Sequence, residues 1–319
     1  MSSDRQYRSP QRRNPVVRSL SGLVLIVLTL SGLIGSVPVL LRPGLPQDAS
    51  FLRGEWTAAF EDELGSRLVG REALTAGRGL LRYLILREGE PGVEVGARGW
   101  LFSSEEFALG ADWQVSTQAI LQTMTNLEAA LPEEATLVIV PLPAKWRVSP
   151  PRSLTPRLQR MIARDRQDRL RELTDLLQAN AGQTSLVVDV ETALGAPGAF
   201  FQRDTHWTPL GSAAVALAIS QALASRGLSA DFGAVVSAAS PDDARATLQG
   251  DLLSFLPFPG LHPQLGLGPE SYEPRQVSVE SGNLGLFDDP SVPILLVGTS
   301  YSADARFGFE AALKETLAG

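Results

Sequence analysis

The feature that most constrains this chain is an uncharged run near its N-terminus. Residues 19–41, "SLSGLVLIVLTLSGLIGSVPVLL", contain no Asp, Glu, Lys or Arg. A single segment crosses a bilayer as a helix, which satisfies its own backbone hydrogen bonds, and it needs about 20 apolar residues to do so. We therefore predict a transmembrane anchor over residues 19–41.

The charges that flank this run set its orientation. Residues 1–18 contain five arginines and one aspartate, and such a basic flank stays on the cytoplasmic side. A cleaved signal peptide is the alternative, but its apolar core is shorter, about 7–15 residues, and "GSVPVLL" is a poor cleavage site. We predict a single-pass protein of the inner (cytoplasmic) membrane, with a cytoplasmic tail over residues 1–18 and the rest of the chain in the periplasm.

The composition excludes several classes of ligand and site. The net charge of −7 argues against a nucleic-acid partner, which requires a basic face. The chain has no cysteine, which excludes disulfides, thiolate metal sites and a cysteine nucleophile. It has two histidines without the spacing of metal ligands, and no glycine-rich phosphate loop follows a strand pattern. We predict neither a metal nor a cofactor.

The remaining sequence alternates between strand and helix patterns. Residues 42–90 are expected to form a linker and a helical lead-in of two amphipathic helices, and "GVEVGARGWLF" predicts a hairpin. Helices are expected over residues 115–131 (with Ser116 as N-cap), 156–179 and 208–227. Buried strands are expected at residues 136–140, at residues 185–190 and in "SVPILLVGTS". This alternation predicts an α/β domain over residues 91–319 with a mostly parallel sheet.

The stretch "RDTHWTPLG" places an acid two residues before a histidine. In an extended segment, Asp204 and His206 project from the same face, immediately before a helix with Thr208 as N-cap and Pro209 at its first position. A carboxylate that holds one ring nitrogen leaves the other free to act as a general base. A histidine at a helix start is also a common structural feature, so the spacing alone leaves both readings open.

A base of this kind requires a nucleophile. In "ILLVGTSYS", Ser300 follows the end of a predicted strand, which is where open α/β sheets place their sites, and Ser302 is the weaker alternative. Backbone N–H groups of the following turn can contribute to an oxyanion hole. By itself, "GTS" is equally typical of an ordinary strand-to-helix turn.

Taken together, "RDTHWTPLG" and "LVGTSYS" resemble the alginate O-acetylation proteins, the SGNH-hydrolase-like family of periplasmic polysaccharide acetyltransferases. "GVEVGARGWLFSSEEF", "VIVPLPAKWRVSP" and "LQGDLLSFLPFPGL" extend the resemblance, in order, over residues 50–305. It implies an SGNH-like three-layer α/β/α fold in which the Asp-His pair precedes the serine. Family members continue further beyond the serine, so this sequence is expected to be a C-terminally truncated form, a fragment or a divergent member.

The resemblance also implies a role for each matching residue. Ser300 would be the nucleophile, His206 the general base and acid, and Asp204 its orienting partner. Trp207, Tyr301 and Lys145 would lie on the substrate side. The alternatives are packing at the helix start for Trp207 and a solvated loop position for Lys145.

The implied activity is O-acetyl transfer to hydroxyls of an exported, alginate-like polysaccharide through an acetyl-serine intermediate. The resemblance further implies a membrane-bound O-acyltransferase partner that supplies the acetyl group. Two alternatives remain open: an acetyl-polysaccharide esterase that uses the same three residues, and a non-catalytic polysaccharide-binding component of an export complex.

Overall fold

A computed structural model describes residues 53–67, 71–108, 112–162, 164–228, 234–238, 245–275, 277–281 and 294–318. The predicted cytoplasmic tail and transmembrane anchor lie outside these residues. No helix in the described ranges is both long and apolar enough to cross a membrane. The chain divides into two compact units, Met1–Arg78 and Gly79–Gly319.

The lead-in forms two helices, as predicted: α1 (Glu55–Arg67) and α2 (Arg71–Leu81). A π-helical turn, Arg82–Leu86, continues from α2 and ends at Arg87, whose φ of 57° is left-handed. The predicted hairpin follows. Strands β1 (Val93–Val95) and β2 (Leu101–Ser103) pair antiparallel.

A parallel strand pair forms the centre of the larger unit. Strands β3 (Leu137–Ile139) and β4 (Ser185–Val187) pair in parallel at two of the predicted strand positions, although each strand is shorter than predicted. Three helices come between these strands in the chain: α4 (Lys145–Val148), α5 (Pro156–Met161) and α6 (Arg164–Asn180).

Side chains of this pair alternate between two helical layers. One face packs with α3 (Trp113–Ala130) and α6 in a cluster of apolar residues: Met124, Leu177, Leu137, Ile139 and Val187. The other face packs with α8 (Pro209–Ser225) and α10 (Phe309–Ala318) in a larger cluster that includes Val138, Val140, Leu186, Val188, Val215, Ile219 and Leu313. Helices therefore cover both faces of the parallel pair, which explains why its sequences are continuously apolar.

The other strand pairs within the described residues are antiparallel. Strand β5 (Ala234–Ala238) pairs with β8 (Val277–Ser281), and β6 (Ala246–Leu248) pairs with β7 (Glu270–Tyr272). The prediction of a mostly parallel sheet is therefore not confirmed over the part of the chain that the structure describes.

The predicted strand in "SVPILLVGTS" is wrong for the residues that are described. Residues 294–299 contain no strand, and the side chains of Leu295 and Val297 are 85% and 83% exposed. An apolar run forms a strand only where a neighbouring strand pairs with its backbone N–H and C=O groups, and a run of apolar letters carries no information about that neighbour. Residues 291–293 lie outside the described ranges.

Two helix boundaries also differ from the predictions. Helix α3 is capped by Asp112, whose side chain accepts a hydrogen bond from the Val115 N–H, rather than by Ser116. The single helix predicted over residues 156–179 is two helices, because the backbone turns extended at Ile162 after α5 and helix α6 begins only at Arg164. Charged residues flank this break on both sides and neither Gly nor Pro occurs in it, so the sequence keeps a helical pattern although the helix is interrupted.

Helix α8 forms as its sequence predicts. The Thr208 side chain accepts a hydrogen bond from the Gly211 N–H, and Pro209 occupies the first turn. A Cβ atom at Gly211 would lie 2.1 Å from the Ala199 carbonyl oxygen, so glycine lets the helix start pack directly on the preceding chain. This contact fixes the segment that leads into α8. A short helix, α7 (Glu191–Leu194), lies between β4 and that segment.

Candidate active site

The segment before α8 is a tightly hydrogen-bonded turn rather than a regular strand. Phe200 and Trp207 form an isolated antiparallel bridge, and the Phe201 N–H donates to the His206 carbonyl at 3.3 Å. Residues 202–206 therefore double back on themselves. The turn places Asp204 inside the protein, only 2% exposed, and leaves His206 partly exposed.

Asp204, His206 and Ser300 form a continuous hydrogen-bonded relay. The Asp204 Oδ1 lies 2.7 Å from the His206 Nδ1, and the His206 Nε2 lies 2.8 Å from the Ser300 Oγ. A carboxylate at Nδ1 holds the ring proton there, which leaves Nε2 to accept the serine proton. The structure thus brings together the three residues that the sequence predicted to be catalytic, although His206 and Ser300 are 94 positions apart in the chain.

The carboxyl group of Asp204 is held in its charged form. Burial acts to raise the pKa of Asp204, but hydrogen bonds from the His206 ring and from the backbone N–H groups of His206 and Asp251 outweigh it, so the pKa lies below its ordinary value. A carboxylate that stays ionised in a buried site favours the positively charged imidazole that forms during proton transfer.

Ser300 and Ser302 occupy different environments. Ser300 begins the short helix α9 (Ser300–Ala303) after the N-cap residue Thr299, and it is exposed. The Ser302 hydroxyl donates to the Thr299 carbonyl at 3.1 Å. A Cβ at Gly298 would lie 2.2 Å from the Ser302 Oγ, so glycine makes room for that contact. The Ser302 hydroxyl is therefore occupied by a hydrogen bond within its own turn, whereas Ser300 faces the histidine.

Two aromatic rings hold the His206 imidazole in place. The Phe307 ring stacks on it with centroids 4.5 Å apart and planes inclined by 19°, and the Tyr301 ring lies 4.9 Å away. Phe307 is fully buried in a 3₁₀ turn, Ala305–Phe307. Sequence reasoning missed Phe307, because "DARFGF" has no spacing that relates it to a histidine about a hundred positions earlier.

Lys145 is buried beneath this site, contrary to its interpretation as a solvated loop residue. It is 1% exposed, and its Nζ donates to the carbonyl oxygens of Leu101 at 2.7 Å, Gln202 at 3.1 Å and Asp204 at 2.9 Å. An ammonium group has three donors, and all three are engaged. None remains for a substrate carboxylate, so the predicted placement of Lys145 on the substrate side is wrong.

Charges around Lys145 only partly offset its burial. Burial lowers the pKa of Lys145 to about 8, although four nearby carboxyl groups act to raise it: Glu106, Glu270, Asp204 and Asp251. The ammonium joins strand β2 to residues 202–204, so it holds the turn that carries Asp204 against the hairpin.

Trp207 and Tyr301 pack against each other at the start of α8. Trp207 is 2% exposed, and its ring meets the rings of Tyr301 and Phe309 at 5.2 Å. This is the packing alternative for Trp207 rather than a sugar platform. The Tyr301 hydroxyl donates to the Thr205 carbonyl at 2.7 Å, and burial raises the pKa of Tyr301 above its ordinary value, which keeps that donor protonated.

Asp251 is a second carboxylate at the site that sequence reasoning did not single out. Its backbone N–H donates to the Asp204 Oδ2 at 3.0 Å, and its Oδ1 accepts from the Thr205 N–H at 2.8 Å. The only signal for it was its place in the "GDLL" stretch, which the resemblance covers without giving Asp251 a role.

Asp204, His206 and Asp251 offer ligand atoms within 4.8 Å of one another. However, both oxygens of Asp204 accept hydrogen bonds from protein N–H groups, and the His206 Nδ1 is bonded to that carboxylate. We therefore assign no metal ion to this group. The arrangement can instead activate a serine hydroxyl for attack on an acyl group.

Comparison with known proteins places this geometry in a family. Residues 93–319 match the family described as "SGNH hydrolase-like domain, acetyltransferase AlgX". The range includes Asp204, His206 and Ser300, and it begins at the first residue of the hairpin.

Two curated relatives are each named "Probable alginate O-acetylase AlgJ". The chain is 33% identical to the protein of Azotobacter vinelandii over 286 residues, which cover 83% of this chain and 69% of that protein. It is 32% identical to the protein of Pseudomonas putida over 250 residues, which cover 74% of this chain and 61% of that protein. The chain thus spans about two thirds of the length of these relatives.

A solved structure gives the same result for the fold. The O-acetyltransferase domain of Pseudomonas putida AlgJ superposes with a TM-score of 0.57 and 27% sequence identity, and the match covers 72% of this chain and 77% of that domain. The α/β fold is therefore SGNH-hydrolase-like, and the chain belongs to the family of AlgX-type SGNH hydrolase-like acetyltransferases.

Proposed function

We propose that this chain transfers acetyl groups to hydroxyls of an exported, alginate-like polysaccharide through an acetyl-Ser300 intermediate. One observation carries the proposal: the relay from Asp204 through His206 to the exposed Ser300 hydroxyl, with steps of 2.7 and 2.8 Å. The names of the AlgJ relatives support the acetyl group and the alginate substrate.

In the first half-reaction, the His206 Nε2 takes the Ser300 proton as the Ser300 Oγ attacks the carbonyl carbon of an acetyl donor. The tetrahedral intermediate then collapses, the donor's leaving group departs with the proton from His206, and an ester remains on Ser300. We expect backbone N–H groups of the turn after Ser300 to stabilise the negative charge on the intermediate's oxygen.

In the second half-reaction, a sugar hydroxyl takes the place of the departing group. His206 removes the proton of that hydroxyl, the oxygen attacks the acetyl-serine carbonyl, and the Ser300 oxygen regains the proton as the bond to the acetyl group breaks. The sugar must be held at the site for this step, because bound geometry is what allows a hydroxyl to compete with water.

Hydrolysis by the same residues is the second candidate function. Ser300 is exposed in the structure, so water can reach an acetyl group attached to it. An acetyl-polysaccharide esterase would use the same relay, with water as the acceptor in the second half-reaction.

The experiment that separates these functions supplies the full chain with a chromogenic acetyl ester and an oligosaccharide of uronic acids. Acetylated sugar detected by mass spectrometry supports transfer, and free acetate alone supports the esterase. Ser300→Ala should remove both products, whereas Ser302→Ala, a matched serine two residues away, should keep most of the activity. Product formation that survives in Ser300→Ala overturns the proposal, and so does a parent chain that forms neither product, which is the result expected of a non-catalytic binding component.

We further propose that residues 19–41 anchor the chain in the inner membrane, with the domain in the periplasm and a membrane-bound O-acyltransferase as donor of acetyl groups. The uncharged run and the arginine-rich residues before it support this placement. In cell fractionation, the chain should remain in the membrane pellet after carbonate washing and be cleaved by protease added to spheroplasts. Recovery of the chain in the soluble fraction would contradict the anchor.

A further inference from the structure

Asp251 approaches the catalytic histidine from a separate element of the fold. It begins the 3₁₀ turn Asp251–Phe255, whereas Asp204 and His206 belong to the turn before α8. The Asp251 Oδ2 lies 4.0 Å from the His206 Nδ1, and its side chain is 46% exposed. The imidazole therefore has two carboxylates near one nitrogen, one buried and hydrogen-bonded, the other partly solvated.

The backbone holds Asp251 in this position. A Cβ atom at Gly250 would lie 2.1 Å from the Arg203 carbonyl oxygen, so only glycine allows the two turns to approach this closely. The Leu252 N–H donates to that same carbonyl at 3.2 Å. The contact is thus built from backbone atoms on both sides, and it does not depend on the conformation of a long side chain.

Asp251 makes two contacts that bear on the orientation of the relay. Its N–H engages the Asp204 Oδ2 at 3.0 Å, which leaves the Asp204 Oδ1 directed at the His206 ring. Its Oδ1 accepts from the Thr205 N–H at 2.8 Å, which fixes the peptide between the acid and the histidine. The Asp251 Oδ2 is directed toward the imidazole instead, at a distance at which charge acts without a hydrogen bond.

We propose that Asp251 is a positioning residue of the acetyl-transfer reaction: it fixes the Asp204 carboxylate and, through its charge, stabilises the imidazolium that forms when His206 takes the Ser300 proton. The inference rests on the proposed function, because it assigns Asp251 to the same base. It adds a fourth side chain to the relay, one that touches neither the serine nor the acetyl group.

Other charged and titratable groups lie close to this histidine or to its partner Asp204, and they must stay constant in a test. Asp204 belongs to the same turn as His206, and Tyr301 belongs to helix α9. Asp304 and Arg306 lie at the turn after α9, and Lys145 is buried beneath the site. Substitution of Asp251 leaves all of these side chains in place.

The test uses Asp251→Asn in the full chain, with a chromogenic acetyl ester as substrate. Asparagine keeps the backbone N–H and an oxygen that can accept from Thr205, but it loses the charge. A negative charge near the ring favours the protonated imidazole, so its removal keeps the base neutral to lower pH. We expect the acid limb of the kcat/KM profile to move down by roughly 0.5–1 pH unit, and kcat to fall about tenfold with little change in KM.

Two further variants serve as controls. Asp251→Glu retains the charge and should restore the position of the acid limb. Asp189→Asn changes a carboxylate that also accepts a backbone N–H, from Glu191 at 2.9 Å, but does so outside the site, and it should leave the profile unchanged.

An acid limb that stays in place in Asp251→Asn overturns the inference, even if activity falls, because a purely structural role would lower activity without moving the limb. This failure is distinguishable from failure of the proposed function. If ester turnover depends on Ser300 but the limb does not move, only the inference about Asp251 fails; if turnover survives Ser300→Ala, the proposed function fails first.

Discussion

The carboxyl group of Asp204 combines burial with charge. Three hydrogen bonds from N–H groups hold its oxygens, and they keep the pKa below the ordinary value although burial acts in the opposite direction. A group of this kind orients the imidazole and pairs with its charged form, and it does not itself take up the proton.

Asp204→Asn should therefore reduce turnover while the fold persists. The amide is similar in size, but it presents a donor where the ring nitrogen also donates, so the histidine adopts the wrong tautomer. We expect kcat to fall by about 10³–10⁴, measured with a chromogenic acetyl ester, together with a cooperative thermal transition close to that of the parent chain. A decrease of less than tenfold would show that the carboxylate does not orient the base.

Lys145 contributes to the stability of the fold rather than to the chemistry of the site. Lys145→Met removes the donor to three carbonyl groups, and each buried acceptor left unpaired costs about 1–3 kcal/mol. Because the apolar side chain also avoids the cost of burying a charge, we expect a net loss of roughly 2–4 kcal/mol in the free energy of unfolding, measured by urea denaturation at pH 7. Unchanged stability would contradict the role of the ammonium.

The pH dependence of this difference has a defined sign. Burial lowers the pKa of Lys145 from 10.5 to about 8 in the folded chain. Between these values the unfolded chain binds the proton more strongly, so the contribution of Lys145 to the free energy of unfolding rises with pH. The difference between the parent chain and Lys145→Met should grow by about 1–2 kcal/mol between pH 7 and pH 9.5.

At the scale of elements, the site depends on how closely two turns approach each other. Gly250→Ala places a methyl group 2.1 Å from the Arg203 carbonyl oxygen, a backbone atom that cannot move without the Asp204 turn. We expect a loss of about 1–3 kcal/mol in the free energy of unfolding and at least a tenfold decrease in kcat/KM, because Asp251 and Asp204 move apart.

Gly260 provides the matched control for this substitution. It lies in the next 3₁₀ turn of the same segment, and a Cβ there would meet nothing within 4 Å. Gly260→Ala should change the free energy of unfolding by no more than about 0.5 kcal/mol and leave kcat/KM unchanged. Equal effects of the two substitutions would show that the close approach at Gly250 has no role.

The elements differ in how far their sequences could predict them. Helix α8 was predictable because its start signals are local: the Thr208 cap and Pro209 act within one turn of chain. The strand expected before Ser300 was not predictable, because a strand requires a neighbouring strand and its own sequence does not show whether one is present. The break at Ile162 could not be predicted either, because no Gly or Pro interrupts the helical pattern at that residue.

At the scale of the whole molecule, the three residues of the relay could be predicted, whereas the residues that hold them in place could not. The spacing of two predicted that Asp204 and His206 act together, although a turn rather than an extended strand brings them into contact, and the resemblance that covers both motifs added Ser300. Lys145 and Asp251 reach the same turn from 59 and 47 positions away in the chain. Such contacts depend on the packing of separate elements, which single-sequence patterns do not carry, and for this reason Lys145 was placed on the wrong side.

Direct detection of the acetyl-enzyme tests the central claim. The full chain is mixed with a chromogenic acetyl ester, quenched in acid and digested, and the peptides are examined by mass spectrometry. The account predicts one acetyl group on Ser300, present in Ser302→Ala and absent in Ser300→Ala. An acetyl group on another residue, or an adduct that persists in Ser300→Ala, would contradict it.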